Sequence, residues 1–226
     1  MITQLFNMIK KSGSLPEGWN RGRVTLVHKR GLRELLGNYR PITVLIRLSG
    51  LYSKVLNERL SLVVEEHNLL GEIQNGFRKE RGGVDNNFIL DTVLLKSKAE
   101  KSKLFLSFID ISKAYDSVNR GILWEKLAYL GIRGEYLSSL KALYTDDCID
   151  CEVNGLTTKP IYLRRGLRQG CALSPLLFAL YISGVGNDIT LSELGFRIGN
   201  IVVSGLLFAD DIVIISRWTK TSPQTR

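Results

Sequence analysis

Hydrophobic and polar residues alternate with two different periods along the chain, and together they predict a mixture of helices and strands. Apolar residues three or four positions apart, as on one face of a helix, recur in five segments. These predicted helices cover residues 51–68, 84–95, 122–130, 136–144 and a segment that begins at Ser174-Pro175. The last has a favoured start, since serine caps a helix and proline fits its first turn.

Shorter segments follow the pattern of β-strands. Residues 23–28 alternate between polar and apolar side chains, and residues 104–109 form an almost wholly apolar run typical of a buried strand. Asn154-Gly155 lies between two further strand-like runs, and this dipeptide favours a tight hairpin. Because helices and hairpins are mixed without a regular alternation of strand and helix, the pattern predicts an α+β fold.

Composition argues against several classes of protein. With 226 residues, of which 44% are hydrophobic and 23% charged, the chain resembles a folded domain rather than a disordered or fibrous protein. Its longest apolar stretches are too short or too interrupted to cross a bilayer, so we expect no membrane partner. Three cysteines without an export signal predict reduced thiols and an intracellular location, nuclear or cytoplasmic.

The positive charge is concentrated at the start of the chain. The formal net charge is +9, and the first 60 residues hold eleven lysine and arginine residues against three acidic ones. Such an asymmetry favours an acidic partner, with nucleic acid the leading candidate. A solvated basic face is the alternative, and charge alone leaves both open.

Carboxylates stand in apolar surroundings at two places. Asp210 and Asp211 interrupt the segment VVSGLLFADDIVII, where flanking strands would place them at the tip of a hairpin. Asp110 directly follows the apolar run 104–109. An ordinary turn and an ordinary strand end are the alternatives. If the strands are neighbours in one sheet, these carboxylates converge and offer the hard oxygen ligands that magnesium prefers.

A segment rich in arginine and glycine, RRGLRQGCALSP, spans residues 164–175. Its three arginines match the geometry of phosphate groups, and its two glycines allow a ligand to approach the backbone closely. A turn that leads into a capped helix is the alternative, although it does not account for Gln169.

Three of these segments together resemble the central motifs of reverse transcriptases, in the same order and at matching separations. They are FIDISKAYDSV, GLRQGCALSPLLF and LLFADD. Upstream, LPEGWNRGRVTLVHKRG, NYRPITVL and IQNGFRKERG resemble the fingers segments of the non-long-terminal-repeat (LINE-type) retrotransposon branch. The resemblance covers roughly residues 1–216.

The resemblance implies a right-hand polymerase fold of the α+β class. An antiparallel palm sheet is expected to pack on helices and to carry the aspartates, with a basic fingers region over the incoming nucleotide. We expect residues 1–80, with 119–160, to form the fingers, and residues 81–118 and 161–226 to form the palm. The resemblance ends shortly after the paired aspartates, which predicts a truncated reverse transcriptase domain without a thumb.

The resemblance also implies the residues of the catalytic centre. Asp110, Asp210 and Asp211 match the catalytic aspartates that bind metal, and Ile111 matches a residue that lends its backbone carbonyl. The implied cofactor is a pair of Mg²⁺ ions, which Mn²⁺ can replace.

Further matching positions imply contacts with substrates. Tyr115 matches the aromatic residue that lies under the sugar and excludes a 2′-hydroxyl group. The residues expected to bind the nucleotide are Tyr115, Gln169, Gly170, Lys29 and Arg40. Those expected to contact nucleic acid are Arg78 and Arg81.

The predicted function is that of an RNA-directed DNA polymerase, a nucleotidyltransferase that adds dNTPs to the 3′-hydroxyl of a DNA primer along an RNA template. One alternative is a catalytically inactive, nucleic-acid-binding remnant of a retrotransposon polyprotein. Another is a different template-dependent polymerase or a two-metal nuclease. Tyr115 and Gln169 favour a polymerase over a nuclease, because their implied roles require a nucleotide substrate.

Overall fold

The computed structural model of the chain describes residues 1–153, 155–192 and 194–218, which contain seven α-helices and ten β-strands. The helices are α1 Ile2–Ser12, α2 Arg47–Glu66, α3 Gly83–Ala99, α4 Ala114–Ser117, α5 Arg120–Tyr129, α6 Gly134–Ala142 and α7 Ser174–Leu191. The strands are β1 Arg21–His28, β2 Tyr39–Leu45, β3 Leu104–Asp110, β4 Cys148–Val153, β5 Leu156–Thr157, β6 Ile161–Tyr162, β7 Phe196–Ile198, β8 Ile201–Val203, β9 Gly205–Phe208 and β10 Asp211–Arg217. No helix among the described residues is long and apolar enough to span a membrane.

The chain divides into two compact units. Unit 1 comprises Met1–Val63 and Lys113–Phe178, and unit 2 comprises Val64–Ser112 and the chain from Ala179 onward. The boundaries of these units differ from the predicted limits of fingers and palm, and that functional division stays a prediction.

Unit 1 is built around a mixed sheet with the strand order β2-β1-β4-β5, in which β6 also pairs with β4. β1 and β2 are antiparallel, whereas β1 and β4 are parallel. It contains an aromatic cluster in which the ring centroid of the buried Tyr52 lies 5.0 Å from that of the partly buried Phe6 and 6.4 Å from that of the buried Trp19. Large buried residues of this kind contribute most of the hydrophobic stabilisation of a domain.

Unit 2 contains an antiparallel three-stranded sheet with the order β3-β10-β9. Its core cluster combines one residue of α3 with residues of β7, β9 and β10, which are Val93, Phe196, Leu206 and Ile215. Leu104 and Leu106 of β3 pack against this cluster. Because side chains alternate along a strand, the sheet turns one face towards α3.

The structure confirms the predicted α+β class and every predicted helix, with helix limits shifted by a few residues. The two strands predicted on either side of Asn154-Gly155 correspond to β4 and β6, which pair antiparallel, and β5 also pairs with β4. Asn154 itself lies outside the described residues.

The prediction of a strand at residues 104–109 is confirmed by β3, but its predicted burial was wrong. Phe105 and Phe108 are 54% and 69% exposed, and β3 lies at the edge of its sheet, where β10 is its one partner among the described strands.

Candidate active site

Two of the three predicted aspartates face each other across the sheet of unit 2. Asp110 is the last residue of β3, Asp211 is the first of β10, and the antiparallel register places them directly opposite. Side chains at opposite positions share one face, with Cβ atoms about 4.5–5.5 Å apart. Both residues are exposed, and neither forms an ion pair within the described part of the chain. Like charges in this arrangement repel, so the sheet gains stability from any cation that binds between them.

Asp210 lies in the two-residue turn that joins β9 to β10. Phe208 and Asp211 pair at the base of this turn, so the sequence-predicted hairpin tip is confirmed. Ala209 opens the turn with a φ of 59°, in the left-handed region that a non-glycine residue adopts only at a cost. The turn therefore holds the paired aspartates on a conformationally restrained segment of backbone.

Asp110 and Asp211 line a cavity of about 400 Å³ in unit 2, together with Phe208 and residues of the first turns of α3.

Across residues 1–153, 155–192 and 194–218, no group of three or more His, Cys, Asp or Glu side chains is placed to hold a metal ion. The structure thus pairs two of the aspartates, while Asp210 occupies the adjoining turn. Ile111, the predicted carbonyl ligand, directly follows β3. The two facing carboxylates suit a divalent cation, because Mg²⁺ is commonly bound through one or two carboxylates plus substrate phosphates.

Three predicted nucleotide-binding residues line one cleft of unit 1. Tyr115, Gln169 and Gly170 surround a space of about 590 Å³, which we call the Tyr115–Gln169 cleft. This volume is in the range of small-ligand sites. The ring of Tyr115 stacks on Phe178, with centroids 5.4 Å apart and an interplanar angle of 17°.

Backbone contacts hold the loop that carries Gln169. Leu167 donates a hydrogen bond to the Tyr115 carbonyl at 2.8 Å, and Thr43 of β2 donates one to the Gln169 carbonyl at 2.6 Å. Gly170 has a φ of 109°, and a Cβ atom there would lie 2.7 Å from the Thr43 carbonyl oxygen. The position therefore requires glycine, which explains why Gly170 follows Gln169.

The cleft also contains a residue that the sequence analysis missed. Lys54 of α2 lines it, is exposed, and forms no ion pair with any described residue. In the sequence, Lys54 is one polar residue on an amphipathic helix, and nothing distinguishes it from other solvent-facing lysines.

Lys29 and Arg40, the other predicted nucleotide-binding residues, lie elsewhere in unit 1. Arg40 pairs with Val27 close to the loop that joins β1 to β2, and within that loop the Lys29 N–H donates to the Asn38 carbonyl. Both are exposed, and neither is among the described residues that line the Tyr115–Gln169 cleft. The cleft is reached by the distant half of β2, from Ile42 to Leu45.

The two arginines expected to touch nucleic acid are engaged within unit 2. The side chain of Arg78 is 3% exposed, pairs with Glu65 at 2.6 Å and donates to the Gly71 carbonyl at 2.7 Å. Arg81 pairs with Glu72 at 2.9 Å and retains more exposure. These hydrogen bonds hold the pKa values of both glutamates below their ordinary range. The contacts favour a structural role for Arg78 over contact with a template.

One arginine of the 164–175 segment is likewise structural. Arg168 is 3% exposed and pairs at 2.6 Å with Asp147, which also pairs with Arg120. Both guanidinium groups lie over the ring of Tyr144, and burial raises the pKa of its hydroxyl. The partner Asp147 is 21 residues away in sequence, so the local pattern could not identify the pair.

The fold is shared with solved telomerase structures. Apo telomerase from Candida tropicalis, truncated from its C-terminal domain, aligns with 94% of this chain and 48% of its own, with a TM-score of 0.60 and 15% identity. Telomerase from Candida albicans, solved with a fragment of telomeric RNA, aligns with 94% of this chain and 40% of its own, with a TM-score of 0.56 and 12% identity. At such identities the likeness concerns the fold alone, and it confirms the predicted polymerase fold.

The sequence matches the model of the family "Reverse transcriptase (RNA-dependent DNA polymerase)" over residues 27–224. The chain therefore belongs to the reverse transcriptase family. It is 30% identical over 205 residues to the Pol polyprotein of the type-1 retrotransposable element R2 of Popillia japonica, covering 90% of this chain and 28% of that relative. It is 22% identical over 220 residues to the RNA-directed DNA polymerase from mobile element jockey of Drosophila funebris, covering 96% and 23%. The chain spans roughly a quarter of each of these curated relatives, and the predicted resemblance to non-LTR retrotransposon proteins is confirmed.

Proposed function

We propose that this chain is the catalytic centre of an RNA-directed DNA polymerase, which adds dNTPs to a DNA primer along an RNA template. The observation that carries the proposal is that Asp110 and Asp211 stand directly opposite each other at one end of the three-stranded sheet of unit 2. Membership of the reverse transcriptase family supports the same activity. The names of the relatives from jockey and from transposon BS also describe RNA-directed DNA polymerases.

Asp110 and Asp211 are the residues best suited to hold divalent cations, with Asp210 and the Ile111 carbonyl as adjoining oxygen donors. Two Mg²⁺ or Mn²⁺ ions bound there would supply the charge that activates an attacking 3′-oxygen and stabilises a leaving pyrophosphate oxygen. The protein's own contribution is a fixed pair of carboxylates on adjacent strands. Such positioning provides most of the catalysis in phosphoryl transfer.

The Tyr115–Gln169 cleft is proposed to bind the nucleotide. The Gln169 side chain offers a donor and an acceptor, and the glycine that follows it lets the backbone approach a ligand closely. Lys54 brings a positive charge to the same wall, which suits a triphosphate. The Tyr115 ring, supported by Phe178, is a rigid surface on which a sugar can rest.

The direct test is primer extension on an RNA template with Mg²⁺ or Mn²⁺. Asp110→Ala is expected to lower extension by about a thousandfold or more, because loss of metal-dependent stabilisation is worth several kcal/mol. Primer–template binding should persist and weaken with salt, since basic residues release counterions on binding. Asp91→Ala, which removes an exposed carboxylate from α3, is the control and should extend normally.

Two results would contradict this proposal. Equal extension by the Asp110→Ala and Asp91→Ala variants would remove the aspartates from the chemistry. A wild-type chain that binds primer–template yet never extends it would support the inactive remnant instead.

The role of Tyr115 has a separate test. Tyr115→Ala should raise the incorporation of ribonucleotides relative to deoxyribonucleotides by about tenfold or more, because a ring that excludes a 2′-hydroxyl acts by steric repulsion. Tyr115→Phe keeps the ring and should keep the selectivity. An active Ala variant with unchanged selectivity would show that Tyr115 serves packing alone.

A further inference from the structure

A buried glutamine holds the turn that carries the paired aspartates. Gln74 is 1% exposed, and its side-chain Oε1 accepts hydrogen bonds from the N–H groups of Ala209 at 3.0 Å and Gly76 at 2.9 Å. Its Nε2 donates to the Ala209 carbonyl at 3.3 Å. One side chain therefore binds both backbone polar groups of the residue that opens the turn.

The loop that bears Gln74 is itself attached to the hairpin. The Asn75 N–H donates to the Leu207 carbonyl at 2.9 Å, and the Leu207 N–H donates to the Ile73 carbonyl at 2.8 Å. Gly76 lies so close to the turn that a Cβ atom there would stand 2.2 Å from the Ala209 nitrogen. These backbone contacts fix the position of Gln74 relative to the β9–β10 turn.

These hydrogen bonds from Gln74 matter because Ala209 has a left-handed backbone conformation. A left-handed alanine is disfavoured relative to right-handed alternatives, and such a residue persists only where its surroundings restrain it. Two of the restraints come from the Gln74 amide. Asp210 and Asp211 follow directly, so any relaxation of Ala209 displaces their carboxylates.

We propose that Gln74 is a positioning residue of the catalytic centre, which locks the left-handed turn at Ala209 and thereby orients Asp210 and Asp211. This inference rests on the proposed polymerase function. It assigns to Gln74 an effect on the chemical step, transmitted through Ala209, rather than on substrate binding.

Substitution kinetics provide the first test. Gln74→Leu should lower kcat for extension by about tenfold to a hundredfold, since small misplacements of catalytic groups have effects of this size. The KM for dNTP should stay within about twofold, because no substrate contact is removed. Gln74→Asn, whose shorter amide cannot span the same distance, should lower kcat similarly and serves if the Leu variant does not fold.

A second substitution separates positioning from general stability. Glycine adopts positive φ freely, so Ala209→Gly should recover about fivefold or more of the kcat lost in Gln74→Leu. Ser97→Ala is the control: it removes a buried hydroxyl of unit 2 that donates to the Ser102 carbonyl, and it should leave kcat unchanged. An unchanged kcat in both Gln74 variants, or a loss that Ala209→Gly does not recover, would overturn the inference.

Amide hydrogen exchange tests whether Gln74 restrains the turn at Ala209, and it does not depend on catalytic activity. Exchange at residues 209–211 should accelerate in Gln74→Leu, because the Ala209 N–H loses the Gln74 acceptor and the turn loses a restraint. Equal exchange in wild type and Gln74→Leu would refute the positioning role. A wild-type chain that protects these amides but does not extend primers would instead refute the polymerase proposal alone.

Discussion

Two acidic sites of this molecule differ in how their charge is neutralised. In unit 1, Asp147 is 1% exposed and pairs with the guanidinium groups of Arg120 and Arg168. In unit 2, Asp110 and Asp211 face each other at an exposed end of the sheet and form no ion pair with any described residue.

The difference separates a structural carboxylate, Asp147, from the pair that is proposed to be catalytic, Asp110 and Asp211. A buried charge is tolerated when the protein itself supplies its partners, and Asp147 has two of them. Two exposed like charges across a sheet reduce stability, so folding gives no reason to keep them. The comparison predicts that removing Asp147 damages the fold, whereas removing Asp110 or Asp211 damages the chemistry and leaves the fold intact.

The largest expected change in stability is at Asp147. Asp147→Asn replaces an acceptor oxygen by an amino group and leaves two buried guanidinium groups without a counter-charge. We expect the free energy of unfolding to fall by about 3–5 kcal/mol, as when one partner of a buried ion pair is removed. Urea unfolding measures this change, with the exposed Asp91→Asn as control. A loss no larger than that of the control would contradict the structural role.

A smaller, pH-dependent effect is expected at the Arg78–Glu65 pair of unit 2. The hydrogen bond from Arg78 holds the pKa of Glu65 below its ordinary value of 4.5. The unfolded chain therefore binds this proton more readily, so the stability from the pair is present above pH 4.5 and is lost as the pH falls through the lowered pKa.

The corresponding measurement compares wild type with Glu65→Gln by urea unfolding as a function of pH. Wild type should be the more stable near neutral pH, and the difference should shrink in acid. The matched control is Glu66→Gln, which removes the neighbouring, exposed carboxylate. A difference independent of pH would mean that the charge of Glu65 contributes nothing.

The smallest effect has the opposite sign. Asp211→Asn, in the absence of divalent ions, should leave the free energy of unfolding unchanged or raise it by about 0.2–1 kcal/mol, because a cross-strand repulsion is removed. Thermal unfolding at low salt gives the measurement. A loss similar to that of Asp147→Asn would show that Asp211 has a stabilising partner.

Local patterns were sufficient to predict much of this fold. The spacing of apolar residues predicted α2 and α3, and the apolar runs around Asp210-Asp211 predicted the β9–β10 hairpin. The same patterns predicted that the three carboxylates converge if their strands are neighbours, and the structure places Asp110 opposite Asp211.

The contacts that the sequence did not reveal join residues that are distant from each other in the chain. Gln74 contacts Ala209 from 135 residues away, so the resemblance of IQNGFRKERG to a fingers segment did not reveal this contact. Arg168 resembled a phosphate ligand because its partner Asp147 was not apparent. The exposure of the β3 side chains was also not apparent, because an apolar run does not show which other segments cover a strand in the folded chain.

The most direct test of the account is the effect of divalent ions on stability. A cation that binds the folded chain between Asp110 and Asp211 raises the free energy of unfolding, by about 2.7 kcal/mol at a hundred times its Kd. We therefore expect Mn²⁺ and Mg²⁺ to raise the Tm of wild type and of Asp91→Asn, and to have little effect on the Tm of Asp110→Asn. An equal rise in Tm for Asp110→Asn and wild type would contradict the claim that the facing aspartates form the cation site.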